Sequence, residues 1–187
     1  MNALPLDRIR WPAVALLASA AMLATAHAFE RFLYLAPCPL CYNQRQIFWA
    51  AGAIALVAVL AAWRAAPQRV LYALNVLLGI VFLAGAGIAA YHALVEWGVL
   101  PAPPTCATGA VELGGDLWSQ LGERQAVPSC AEAKWRLLGL SMAGWNVLVS
   151  VALACLSLVA AFRPVRADTA NETSQLNNKD ISETGLA

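Results

Sequence analysis

Charge is what this chain has least of. Only 12% of its 187 residues are Asp, Glu, Lys or Arg, about half the share of an average soluble domain, and the signs nearly cancel to +1. There is no glycine-rich phosphate loop and no convincing internal repeat, so neither a nucleotide cradle nor a repeat architecture is expected. No nucleic-acid partner is expected either. What the chain has in excess is apolar surface: 60% of its residues are hydrophobic, too many for a single aqueous core.

That surface falls into four runs, Trp11 to Phe29, Ile47 to Trp63, Val70 to Tyr91 and Leu137 to Phe162, whose interiors lack Lys, Arg, Asp and Glu. A bilayer core needs roughly 20 mostly apolar residues per helix, and backbone groups in lipid must pair within their own segment. The expectation is an all-α membrane protein, a four-transmembrane-helix bundle over residues 1–166. Outer loops are expected at about 30–46 and 92–136. Arg8, Arg10, Arg64, Arg69, Arg163 and Arg166 crowd one side, whereas Arg31, Arg45, Arg124, Lys134 and Arg136 are diluted over longer loops with Glu96, Glu112, Asp116, Glu123 and Glu132. The excess of basic residues marks the cytoplasmic side, giving N-in/C-in topology with both long loops outward. In a bacterium that is the oxidising periplasm, across the inner membrane.

The small-residue sequence Ala24 to Ala28 after an apolar run resembles a signal-cleavage site, but the run exceeds the 7–15 residues typical of a signal core. It is read as a retained helix. Residues 167–187 are polar and lack aromatics, as expected of a disordered cytoplasmic tail. Between the outer cysteines, Leu113, Leu117, Trp118 and Leu121 share one helical face and suggest a short helix lying on the membrane, although Gly114 and Gly115 weaken its start.

The chemistry concentrates in five cysteines. Cys38 and Cys41 lie in the first outer loop, Cys106 and Cys130 in the second, and Cys155 inside the fourth run, where it reads as a small buried apolar residue. The four outer cysteines allow three pairings, between which the sequence does not choose. A zinc site fits poorly, since structural zinc usually takes two short-spaced ligand pairs and only Cys38 and Cys41 are close in sequence; no metal is expected. Purely structural bridges remain open for an exported loop. The neighbours of Cys41 favour reactivity instead. It lies near the start of the second helix, whose dipole and unpaired amides favour a thiolate, and Arg45 follows one turn later. An isolated arginine there would be read as snorkelling to lipid headgroups, but beside a Cys-x-x-Cys pair the preference reverses.

Taken together, "PCPLCYNQR" at Pro37–Arg45, His92 in "AAYHALVEWG", Cys106 in "PPTC" and "VPSCAEAKWRLLGLSMAGWN" around Cys130 resemble the disulfide bond formation protein B (DsbB) family. The resemblance covers about residues 10–162. It implies a membrane thiol:quinone oxidoreductase in which Cys106 forms a mixed disulfide with a DsbA-like periplasmic thiol oxidase and Cys130 is its partner. The Cys38/Cys41 pair would pass electrons to a quinone, ubiquinone or menaquinone, with Cys41, Arg45 and His92 at the quinone site. Two other readings share the hydropathy: a DsbB-like relative serving a dedicated partner, and a disulfide-stapled membrane scaffold without catalysis. His92 could also simply cap the interfacial end of its helix.

Overall fold

A computed structural model describes residues 7–106 and 129–163. Four helices dominate it: α1 (Trp11–Phe32), α2 (Pro39–Trp63), α3 (Gln68–Glu96) and α4 (Met142–Phe162), each long and apolar enough to cross a membrane. The all-α membrane bundle expected from the hydropathy is the architecture found. Among the described residues, a 3-10 turn, Pro104–Cys106, and a two-stranded antiparallel hairpin lie between α3 and α4 in the chain. In the hairpin, β1 (Arg136–Leu137) pairs with β2 (Leu140–Ser141), Arg136 opposite Ser141. The expected surface helix around Leu113–Leu121 and the polar tail lie outside the described residues.

The helices depart from the apolar runs where capping, not hydropathy, sets their ends. The second helix begins at Pro39 rather than Ile47, because Pro39 occupies the first turn, where its missing N–H costs nothing, and Cys38 is the N-cap. This puts Cys41, Gln44 and Arg45 on a rigid helix instead of a loop. The third helix continues past Tyr91 to Glu96, which places His92 and Glu96 on adjacent turns of one face. It stops at Gly98, whose φ of +71° lets its N–H reach Val95 O and that of Val99 reach Leu94 O, satisfying terminal carbonyls. The fourth helix starts at Met142 rather than Leu137, since Leu138 (φ +53°) and Gly139 (φ +82°) form the left-handed pair of a two-residue hairpin turn. Ser141 then caps it, its Oγ accepting the Gly144 N–H at 3.1 Å.

Small residues set how closely the helices approach, as lipid-embedded helices require when the surrounding solvent is itself apolar. Ala51, Ala55 and Ala58 of α2, Ala89 of α3, and Ala154, Ala160 and Ala161 of α4 are fully buried. A Cβ on Gly79 would stand 2.7 Å from Leu158 Cδ2, and one on Gly85 would stand 2.7 Å from Ile47 Cγ2. The third helix packs along both α4 and α2, and α1 lies on α2 but touches α4 only sparsely. Beside shared apolar packing, two hydrogen bonds tie the start of the chain to α4: Trp11 Nε1–H donates to Ser157 Oγ at 2.9 Å, and Arg8, just before α1, donates through Nε–H to Ala161 O at 2.6 Å. Outward-facing Leu17, Leu56, Ile80, Leu83, Leu148 and Val151 give the bundle an apolar exterior. Cys155 belongs to that exterior too, contrary to the buried position expected for it. The sequence carried a signal for this, because Asn146, Ser150 and Ser157 share one helical face and Cys155 lies on the opposite one.

Candidate functional site

The helix ends opposite the Trp11–Ser157 contact bring both cysteine pairs into one buried cluster, made of Cys38, Leu40, Val95, Cys106 and Cys130 with Cys41 and Tyr91 packed against it. Cys106 and Cys130 are joined by a disulfide, with Cα atoms 5.6 Å apart, while Cys38 and Cys41 are free. The turn carrying Cys106 is held down by Tyr91, whose hydroxyl donates to Pro101 O at 3.1 Å. Of the bridges open to the sequence, the structure forms Cys106–Cys130 and leaves Cys38 and Cys41 adjacent but unbonded.

Cys38 owes its chemistry to the start of α2. Its Sγ accepts the Cys41 backbone N–H at 3.2 Å, taking the place a serine or aspartate oxygen usually fills at an N-cap. The Cys41 sulfur is 2.8 Å away and His92 Nε2 is 3.7 Å away. The Cys41 thiol donating to it, then His92, then the Cys41 amide pull the Cys38 thiol down from 9.0 to about 4 against the opposing effect of burial. Helix-terminus stabilisation, expected at Cys41, thus falls on Cys38, because α2 begins two residues before Cys41 and not at it.

His92 is the best-connected side chain of the site. Gln44 Nε2 lies 2.9 Å from His92 Nδ1, Asn146 Nδ2 donates to Gln44 Oε1, and Ser150 Oγ donates to Asn146 Oδ1 at 3.1 Å. All four are buried, so the chain of amides holds the imidazole without help from solvent. Donation by Gln44 to Nδ1 leaves the proton on Nε2, facing Cys38. The same Nε2 is 3.6 Å from Glu96 Oε1, and Glu96 Oε2 is buried with no hydrogen-bond partner among the described residues.

Arg45 lies one turn after Cys41 but turns toward α1, where it donates to Glu30 and, at 3.1 Å, to Ala26 O. Its guanidinium is mostly shielded and reaches no hydrogen-bond contact with either thiol; the nitrogen that faces Cys38 is that of His92. Arg45 does line a cavity of about 290 Å³, together with Cys38, Cys41 and His92. Met22 and Phe29 of α1, Phe48 of α2 and Met142 and Val149 of α4 make most of its wall apolar. Phe29 and Trp135 close one side with rings 5.2 Å apart.

All six residues singled out in the sequence, Cys38, Cys41, Cys106, Cys130, Arg45 and His92, therefore meet at one end of the bundle. Gln44, Asn146, Glu96 and Glu30 were missed. Asn146 carried a usable signal, as an amide inside an otherwise apolar membrane run, which seldom lacks a partner or a purpose. Glu96, four residues after His92, becomes legible only once α3 is known to extend that far.

Fold and site define a polytopic membrane protein built for thiol–disulfide chemistry. Residues 8–160 match the family model described as "Disulfide bond formation protein DsbB", and the chain belongs to that family. It is 34% identical over 152 residues to Disulfide bond formation protein B of Marinobacter nauticus, covering 79% of this chain and 88% of that protein. The protein of the same name from Dechloromonas aromatica is 31% identical over 164 residues, 84% of this chain and 94% of its own. That of Xanthomonas euvesicatoria is 34% identical over 159 residues, covering 80% and 88%.

Proposed function

We propose that this chain, a membrane oxidoreductase of disulfide formation by its family, reoxidises a DsbA-like thiol oxidase in the periplasm and delivers the electrons to a quinone of the inner membrane. The observation that carries the reading is the single buried cluster holding the Cys106–Cys130 disulfide and the Cys38/Cys41 thiols beside an apolar cavity. The partner's thiolate attacks Cys106, releasing Cys130, and the partner's second thiol resolves the mixed disulfide. Two electrons and two protons then reside on Cys106 and Cys130. Attack of Cys130 on an oxidised Cys38–Cys41 bridge and closure of the Cys106–Cys130 bond move them to Cys38 and Cys41.

The cavity suits a planar, mostly apolar ring with carbonyl oxygens, since its wall is apolar and its polar atoms converge at Arg45, His92 and Cys41. A quinone bound there supplies the capacity to accept two electrons and two protons. Arg45, braced by Glu30 and Ala26 O, would orient an oxygen acceptor. His92, with Nε2–H toward the sulfurs, would hold the Cys38 thiolate and move a proton at that nitrogen. The positive-inside distribution supports both cysteine loops facing the periplasm.

The test reconstitutes the purified chain with reduced DsbA and either ubiquinone or menaquinone. Quinone reduction in proportion to DsbA disulfide formed supports the reading. Oxidised DsbA without quinone reduction, or no reaction with either quinone, would reject it.

A further inference from the structure

Two thiols and an imidazole converge on one point, with a buried carboxylate beside the imidazole. The Sγ atoms of Cys38 and Cys41 and a ring nitrogen of His92 all lie within 4.8 Å of one another. Glu96 brings a carboxylate to 3.6 Å from the same His92 Nε2, its side chain 5% exposed and its second oxygen buried without a partner among the described residues.

From this geometry we infer that the reduced Cys38/Cys41 pair and His92 Nε2 form a three-ligand site for a zinc-class divalent cation, which Glu96 completes by swinging in as the fourth ligand, and that closing the Cys38–Cys41 disulfide abolishes it. Tetrahedral zinc, with bonds of about 2.3 Å to sulfur and about 2.0–2.2 Å to nitrogen and oxygen, sets its ligand atoms roughly 3.4–3.8 Å apart. The Cys38–His92 separation of 3.7 Å and the His92–Glu96 separation of 3.6 Å fall in that interval. The sulfur–sulfur separation of 2.8 Å must widen, by a turn of the half-buried Cys41 side chain about its Cα–Cβ bond, and the Glu96 carboxylate must swing from beside His92 toward the sulfurs. Binding releases the proton of each thiol still protonated and moves no electrons. Two thiolates and a carboxylate suit a borderline-soft dication, and the cation would pair the otherwise orphaned Glu96.

The site differs from a four-cysteine zinc site, since it uses only the first cysteine pair. It also stands apart from the electron acceptor proposed above, because nothing in it depends on a quinone. Its outer shell is present as well. A metal on Nε2 requires the ring proton on Nδ1, so Gln44 must offer its amide oxygen there, and a half-turn of Gln44 and of Asn146 provides this without displacing either. A pair held on a cation cannot form a disulfide, so the site would keep reduced enzyme out of turnover whenever zinc is available on that face.

The experiment uses the full chain with Cys106, Cys130 and Cys155 replaced by serine, purified in detergent, reduced with a phosphine and titrated anaerobically with Co²⁺. The expected result is one equivalent bound, with sulfur-to-cobalt charge transfer in the near ultraviolet and intense tetrahedral d–d absorption, both bleached by Zn²⁺. The same protein with its Cys38–Cys41 bridge closed should show neither. H92A and E96Q should each weaken Co²⁺, and Q44L should do so by about 10–100-fold. In the unsubstituted reduced chain, Zn²⁺ should protect Cys38 and Cys41 from maleimide, as read by peptide mass spectrometry, which keeps the test independent of the serine variant's folding. Absence of the sulfur–cobalt band, lack of protection, or unchanged affinity in both H92A and E96Q would overturn the proposal, the last by reducing it to adventitious dithiol binding.

Discussion

Cys38 carries the most distinctive chemistry of any single residue in the chain. With its thiol lowered to about 4, Cys38 is ionised throughout the neutral range, and the thiolate fraction drops only as pH falls through that value. In reduced protein, alkylation of Cys38 followed by peptide mass spectrometry should lose rate below about pH 5, whereas a free cysteine of pKa about 8.5 already slows on descent through pH 8. Sign and window follow from the same shift. A depressed folded value adds stability to the reduced form as pH rises, and that contribution is lost as pH falls through the lowered value. Replacing His92 by Leu should move the alkylation profile toward higher pH, because a donor to the thiolate is lost. C38S and C41S should each abolish quinone-linked turnover while inserting normally, since α1 to α4 partition by their apolar surface. Retained turnover in either would remove the pair from the electron path. R45K should keep partial activity with weaker apparent quinone affinity, and R45M should be worse, since only the guanidinium can engage Glu30, Ala26 O and a ligand together. Measured turnover across quinone concentration separates these outcomes, and wild-type kinetics in R45M would leave Arg45 as a brace between α1 and α2.

At the scale of elements, the number of helices was readable from hydropathy and their ends were not. Four runs free of charged residues in their interiors gave four helices, because lipid leaves a backbone no alternative. The segment Tyr42 to Gln46 is polar, however, so hydropathy assigned it to a loop, whereas Pro39 and the Cys38 cap continue α2 through it. That error concealed Gln44, which needs the helix to point at His92. The cysteine and arginine positions were legible because their residue types are rare here and their spacing is specific. The amide chain was hidden because its members come from three helices, and sequence offers no view of which faces meet. Close approach of those helices makes a separate prediction. G79L should lower stability by about 1–3 kcal/mol, read as thermal or denaturant unfolding in detergent, because a larger side chain must displace Leu158 where α3 meets α4. G87A, where a Cβ would meet nothing within 4 Å, should cause no comparable loss and serves as the control.

For the whole molecule, the proposed function makes the order in which the two cysteine pairs react the determinant of the direction of electron flow. If the partner attacks Cys106, then C130S incubated with a DsbA variant lacking its second active-site cysteine should accumulate a complex linked through Cys106, as no thiol remains to resolve it. A bridge mapped to Cys38 would reverse the order. The bundle's asymmetry bears on a different quantity. Because α1 meets α4 only sparsely and the cavity lies between them, its flank is the seam between the first and last helices. A hydrophobic ligand using that seam arrives by lateral diffusion, and its governing concentration is a mole fraction within the bilayer rather than a molarity in water. Diluting proteoliposomes with buffer that holds reduced DsbA constant should then leave turnover per enzyme unchanged, while adding lipid at constant quinone should lower it.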